Sequence, residues 1–173
     1  MLYRPLSKIG RENEMVIART LWVIPLLAIG LVPLARADSG TRLFIAADMV
    51  RGPAGSGPVC VLSSQFLRNE RVAWRIRVQD ATGKELDDKG LKSLVVELSD
   101  GQKFPAHFGG HPPKEPTAYL WSSGWTIPDD YPTGTFNYKV VATAPDGTTQ
   151  SWEPVNNKAS WLTIIAGTFE PAK

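Results

Sequence analysis

Hydrophobic and polar side chains alternate along several short segments of the chain. The segment "RVAWRIRV" at positions 71–78 has an apolar residue at every second position, with arginines on the opposite face. The segments "SLVVEL" at 93–98 and "GTFNYKVVATA" at 134–144 repeat this alternation. A period of two is typical of a β-strand that buries one face. We therefore predict three central strands at these positions.

Further strands and turns are predicted around these three. The segments 58–66, 160–167 and 41–47 favour an early strand, a last strand and an edge strand. The Asp-Gly pairs in "SDGQ" and "PDGT" predict tight hairpin turns. No helical period of useful length follows residue 38. The chain is therefore predicted to be all-β, with a sandwich or a barrel of short antiparallel strands.

Two longer segments carry a resemblance to a known class of domain. They are "PDDYPTGTFNYKVVATAPDG" at 128–147 and "VQDATGKELDDKGLKSLVVEL" at 78–98. Their layout resembles the strands and loops of immunoglobulin-like and fibronectin-type domains in secreted bacterial proteins. The resemblance covers residues 58–166, and the Cys…Trp…Cys pattern of antibody domains is absent. It implies a single immunoglobulin-like antiparallel β-sandwich of about seven to nine strands at 58–167, with 38–57 as a linker or edge strand and 168–173 as a tail.

The N-terminal part of the chain has the pattern of a secretory signal. A basic residue, Arg19, precedes an apolar run at 21–34, and "ARA" follows at 35–37. The run contains two prolines and falls short of the roughly 18 apolar residues of a membrane span. We predict cleavage after Ala37, which makes residues 1–37 an extension and signal peptide. Met1 and Met15 both remain candidate start positions.

Export changes the charge that matters for function. The whole chain has 19 basic and 17 acidic residues, and residues 1–37 contain five of the basic and two of the acidic ones. The remaining chain is slightly acidic, which argues against nucleic acid as a partner. It keeps one cysteine, so an intramolecular disulfide is excluded. We predict a bacterial periplasmic or secreted protein without a stable membrane anchor after cleavage.

Candidate metal ligands are few. His107 and His111 lie four positions apart in "HFGGHPPKEP", which we predict to be a Gly/Pro loop. Together with Met49 and Cys60 they match the ligand types of a blue-copper site. Their spread from position 49 to position 111 differs from the single ligand loop of cupredoxin-type proteins. Because Cys60 lies in the apolar "PVCVL", we predict a small buried side chain, and we keep copper or zinc binding as an alternative.

Two other groups of side chains are candidates for binding. Tyr119, Trp121 and Trp125 share one face if the segment is extended, and such a row either stacks against sugar rings or fills the core. The core interpretation is favoured. The predicted strand at 71–78 carries three arginines on its polar face: Arg71, Arg75 and Arg77. They can bind an anion, or they can form a solvated sheet face in which they pair with acids such as Glu97. We favour the solvated face.

The chain lacks the common catalytic motifs, including Gly-x-Ser-x-Gly, His-Glu-x-x-His and a phosphate-binding glycine loop. The sequence also permits a catalytic Cys–His pair, although a buried thiol is a poor nucleophile. Paired aspartates at 87–88 and 129–130 lie in predicted turns.

We therefore predict a non-catalytic exported binding or accessory module, without a resident cofactor, whose partner is another exported protein. Its predicted binding loop comprises Gly109, Gly110, His111, Pro112 and Pro113. Alternatives are a copper or zinc protein and a carbohydrate-binding module.

Overall fold

The structure is a computed structural model that describes residues 41–53 and 58–170. Within these residues it has a 3-10 turn at Lys158–Ser160 and eleven strands: β1 Leu43–Arg51, β2 Gln65–Arg68, β3 Arg71–Asp80, β4 Ser93–Leu98, β5 Lys103–Pro105, β6 His107–His111, β7 Ala118–Thr126, β8 Gly134–Phe136, β9 Tyr138–Thr143, β10 Thr149–Trp152 and β11 Leu162–Thr168. The predicted signal peptide and its cleavage site lie outside the described residues. In the described part of the chain, no helix has the length and apolar character needed to cross a membrane.

The strands form three sheets. The first sheet has the order β1-β3-β7-β6 and the second β10-β9-β4-β5, and every neighbouring pair in both is antiparallel. The third sheet has the order β2-β11-β8, with β11 parallel to β2 and antiparallel to β8. The all-β prediction is therefore confirmed, and the paired antiparallel sheets are compatible with a β-sandwich.

Two predicted strands differ from the structure. The segment 134–144 forms two strands, because the side chain of Asn137 accepts the N–H of Tyr138 at 2.8 Å and the chain passes there from the third sheet to the second. The segment 58–66 is regular only from Gln65, and before it Leu62 forms an isolated bridge with Val50. These short pieces raise the strand number in the described residues above the predicted seven to nine.

The core lies between the first two sheets. Trp74 of β3 is fully buried, and its ring lies 5.5 Å from that of Phe104 and 5.9 Å from that of Tyr138, both in the second sheet. Burial raises the pKa of the Tyr138 hydroxyl to about 12, with a smaller contribution from the charge of Asp48. The period-two apolar residues of β3, β4 and β9 all belong to this core. The alternation in the sequence thus correctly predicts which face of each central strand is buried.

Three loops share one conformation. Each has three residues ending in glycine, and main-chain hydrogen bonds join the residues that flank them: Asp80 and Lys84, Leu98 and Gln102, and Ala144 and Thr148. The last loop residues, Gly83, Gly101 and Gly147, have φ of 84°, 96° and 88°, a region that a side chain disfavours. A three-residue hairpin loop with glycine in this position is a common connection between antiparallel strands. The turns predicted from the two Asp-Gly pairs are confirmed.

The arginine face of β3 is a solvated sheet face. Arg75 donates two hydrogen bonds to Asp48 of β1, at 2.8 and 2.7 Å, because the register of β1 and β3 places these residues directly opposite each other. Arg77 pairs with Glu85. The acid named as a partner from the sequence, Glu97, lies on the second sheet, where its hydrogen bonds with Lys103 and then Lys139 lower the pKa of its carboxyl group.

Candidate functional site

A groove of about 490 Å³ lies on the solvent side of the first sheet. We call it the outer groove. Asp48 and Arg75, which form an ion pair, are among the residues that line it. The hydrogen bond to Asp48 raises the pKa of the Arg75 guanidinium, against the opposing effect of burial, and the charges of Asp48 and Cys60 raise it further. The remaining walls come from β6, β7 and the segment between them, including His111, Pro112, Thr117 and Leu120.

The predicted loop that supplies His107 and His111 is in fact a strand over its first half. Residues His107–His111 form β6, which pairs with β7 from His107 opposite Ser122 to His111 opposite Ala118. Of the predicted binding loop, Pro112 and Pro113 lie in the connecting segment and the other three residues lie on β6. Glycine lowers strand propensity, but β6 is at the edge of its sheet, where such residues are tolerated.

The two glycines of β6 have different surroundings, which gives a matched pair of variants. A Cβ at Gly110 would lie 2.5 Å from Cγ of Pro116, whereas a Cβ at Gly109 would meet nothing within 4 Å. We expect Gly110→Ala to lower the free energy of unfolding by about 1–3 kcal/mol, because the rigid proline ring must move. Gly109→Ala should change it by less than about 0.5 kcal/mol. Urea denaturation of both variants measures this, and equal losses would contradict the role of Pro116.

Cys60 is exposed, in contrast to the predicted buried side chain. It lies in a turn with φ of 64°. Its N–H donates to the carbonyl of Arg51 at 2.8 Å, and the N–H of Arg51 donates to the carbonyl of Val61 at 2.9 Å. These bonds attach the turn to the free edge of β1. The apolar neighbours of Cys60 are therefore surface residues, with Val59 51% and Val61 47% exposed.

The turn brings Cys60 to His111, although the two residues are 51 positions apart. Sγ of Cys60 lies 3.5 Å from Nε2 of His111. A thiolate at about 2.3 Å and an imidazole at about 2.0–2.1 Å from one tetrahedral metal ion are themselves separated by about 3.5 Å. The two side chains therefore already have the mutual distance of ligands to one ion. The same contact also suits exchange of a proton between thiol and imidazole.

The other two predicted ligands lie elsewhere. His107 is on the same face of β6 as His111, but four steps along the strand separate their α-carbons by about 13 Å. Met49 is only 5% exposed and belongs to the core cluster. Among the described residues no group of three or more histidines, cysteines or carboxylates is close enough to hold a metal ion. Within one chain, the pair of Cys60 and His111 is what the structure assembles from the predicted set.

The predicted aromatic row does not form an exposed platform. Trp121 is 5% exposed, and its indole N–H donates to the carbonyl of Leu86 at 2.8 Å. Trp125 is half-buried and stacks on Phe104 with 5.0 Å between the ring centroids. Tyr119 is the member of the row that is exposed. These placements agree with the core interpretation of the segment.

A second groove, of about 480 Å³, lies where β1 approaches β10. We call it the edge groove. Its walls include Met49, Tyr138 and Trp152, and at its rim Leu62 and Val155 are 66% and 77% exposed. Apolar side chains that are this exposed beside a groove are typical of an interaction surface.

Searches of protein-family models, curated proteins and solved structures find no match to this chain.

Proposed function

We propose that this protein is a non-catalytic, exported module that binds a transition-metal ion, copper or zinc, through Cys60 and His111. The observation on which the proposal rests is the 3.5 Å contact between Sγ of Cys60 and Nε2 of His111. Thiolate and imidazole are the side chains that Cu(I) and Zn(II) prefer. His111 lines the outer groove and Cys60, which contacts it, is exposed, so an ion can enter and leave.

The surroundings of the pair fit a site for binding an ion. The Cys60 turn is attached to β1 through the main chain of Arg51, and His111 is fixed by the pairing of β6 with β7. The positive charge of Arg75 is already paired with Asp48, so it opposes a bound cation less than a free guanidinium would. Held this way, the two ligands lose little freedom when an ion binds.

For the scaffold we propose an immunoglobulin-like sandwich. The first sheet, β1-β3-β7-β6, and the second, β10-β9-β4-β5, have the strand order A-B-E-D and G-F-C-C′ when lettered along the chain. The strands β2, β8 and β11 are then additions that form the third sheet. The proposed export to the bacterial periplasm, or beyond the cell, rests on the signal pattern of residues 15–37.

Metal titration tests the function. Purified reduced protein is titrated with Cu(I), Cu(II) and Zn(II), beside the Cys60→Ser/His111→Ala double variant and a Lys114→Ala control in the neighbouring loop. We expect the double variant to lose more than about 100-fold in affinity, since loss of an outer-shell partner alone costs about 10–100-fold. The control should bind like the parent protein. Equal binding by all three proteins, or no binding by the parent protein, would refute the proposed metal site.

The second candidate is a docking module for another exported protein. It is favoured by the edge groove, where Leu62 and Val155 are exposed beside the half-buried Trp152. A protein that binds no metal in the titration, yet retains an exported partner that a Val155→Asp variant releases, would favour this candidate.

A further inference from the structure

We propose that two copies of this chain pair antiparallel along β6 and thereby complete two identical metal sites. Each site consists of Cys60 and His111 of one copy and His107 of the second copy. The inference rests on the proposed metal binding and adds the third ligand that a single chain lacks. It also gives a role to His107, which the geometry of one chain leaves without one.

The strand β6 lies at an edge of the first sheet. This strand is the last in the order β1-β3-β7-β6, and within the described residues β7 is its strand partner. Proteins protect such edges with lysine, proline or a bulge, because unpaired main-chain groups bind other strands. The five residues of β6, "HFGGH", include none of the protective residue types. The edge is therefore suited to adding a strand.

The two histidines of β6 lie on the same face of the strand. Phe108 packs against the ring of Trp121, at 5.6 Å, and so belongs to the buried face. Because successive residues of a strand alternate, His107, Gly109 and His111 share the opposite, solvent-side face. Cys60 contacts His111 on that face. All three proposed ligands thus lie on one side of the sheet.

The register between the two β6 strands decides which residues of the two copies meet. A twofold axis at Gly109 places His107 of each copy directly opposite His111 of the other, on the same face of the joined sheet. Directly opposite residues of antiparallel strands have their Cβ atoms about 4.5–5.5 Å apart, which allows two imidazoles to bind one ion. A shift of the register by two residues would place one histidine of each copy opposite Gly109 and the other opposite a proline outside β6, Pro105 or Pro113. The centred pairing is the register that gives two pairs of His107 with His111, one beside each Cys60.

Gly109 at the axis is compatible with this pairing. It lacks a side chain that would meet its own copy at the centre of the interface, and a Cβ there meets nothing within 4 Å in one chain. A twofold interface of this kind is self-complementary, so each contact occurs twice. We therefore expect two metal ions for each dimer.

Complementation between variants tests the proposal directly. One partner is His107→Ala, which retains Cys60 and His111, and the other is Cys60→Ser/His111→Ala, which retains His107. Sedimentation equilibrium with Zn(II), and the absorption spectrum of Co(II) used as a substitute, measure assembly and thiolate ligation. We expect the parent protein to dimerise with two ions, neither variant alone to dimerise, and their mixture to form a heterodimer with one ion.

Other results separate this proposal from the metal site itself. If His107→Ala binds Zn(II) as tightly as the parent protein and both remain monomeric, the dimer is refuted while the site of Cys60 and His111 stands. If the parent protein binds no ion, both proposals fail.

A charge at the axis gives an independent check that leaves every proposed ligand in place. Gly109→Lys fits a single chain but places two lysines opposite each other in the dimer, which is unfavourable. We expect several-fold weaker metal-dependent dimerisation, restored when Gly109→Lys is mixed with Gly109→Glu. Dimerisation that is unchanged in Gly109→Lys would overturn the proposed register. Circular dichroism of each monomer verifies that the variants fold.

Discussion

Replacing Glu70 with alanine is expected to lower the free energy of unfolding by about 3–5 kcal/mol, the cost of breaking a buried ion pair from one side. Glu70 is 1% exposed. Its carboxylate accepts the N–H of Leu67 at 2.8 Å and a hydrogen bond from Arg51 at 3.2 Å. Alanine removes both acceptors and leaves the partly buried guanidinium without this carboxylate. Urea denaturation followed by circular dichroism measures the loss.

The same substitution should weaken metal binding, because Arg51 links Glu70 to the proposed site. The guanidinium of Arg51 also donates to the carbonyl of Gln65 at 3.3 Å, and its main chain holds the Cys60 turn at 2.8 Å. When Arg51 moves, the distance between Cys60 and His111 should vary more widely. We expect Glu70→Ala to weaken binding of Zn(II) at temperatures where the variant is fully folded.

Glu97→Ala is the matched control for this prediction. Glu97 is likewise a carboxylate with two partners, Lys103 and Lys139, but these lysines are exposed and Glu97 lies on the second sheet. Exposed ion pairs of this kind contribute at most about 1 kcal/mol. We therefore expect a small loss of stability and unchanged metal affinity in this variant. Equal losses in both variants would contradict the special role of the buried carboxylate.

Much of the fold could be predicted from the sequence because its signals are local. Alternation at 71–78 and 93–98 matches β3 and β4, since the buried face of a strand needs an apolar residue at every second position. The Asp-Gly turns were predictable because Gly101 and Gly147 have positive φ, which glycine alone adopts without strain. Neither feature depends on a distant part of the chain.

The strand β6 could not be recognised in this way. Its one large apolar residue, Phe108, provides no alternation, and two glycines and the following proline favour a loop in any local pattern. It is a strand because β7 offers a complete partner edge and Phe108 packs on Trp121. Tertiary pairing decided the conformation, which the residues of β6 by themselves do not specify.

In the candidate site, too, the residue types could be predicted from the sequence, whereas their contact depends on distant parts of the chain. Cys60 and His111 could be identified as candidate ligands from residue type alone, but their contact is set by the edge of β1 and by the path of the turn. The apolar neighbours of Cys60 suggested burial, whereas the turn lies on an exposed edge. The pairing of Arg75 with Asp48 could be predicted in part, since an arginine on a strand face predicts an acid on the neighbouring strand. Which acid faces it depends on a register that no local pattern contains.

Replacing Trp74 with alanine is expected to lower the free energy of unfolding by about 3–5 kcal/mol, through the loss of apolar burial and the cavity that remains. Trp74 is fully buried at the centre of β3, and its ring stacks at 17° on that of Phe104. Since the residue joins the first sheet to the second, the cavity should loosen their packing. Denaturant unfolding measures the change.

The variant Trp74→Phe separates the effect of the cavity on stability from the effect of the buried indole N–H. Within the described part of the chain, Nε1 of Trp74 is buried without a hydrogen-bond partner. Such an unsatisfied group costs about 1–3 kcal/mol, so phenylalanine removes a penalty while it keeps most of the ring contact with Phe104 and Tyr138. We therefore expect Trp74→Phe to cost less than half of what Trp74→Ala costs. Equal losses in the two variants would mean that the indole N–H is satisfied in solution, because its removal would then bring no compensating gain.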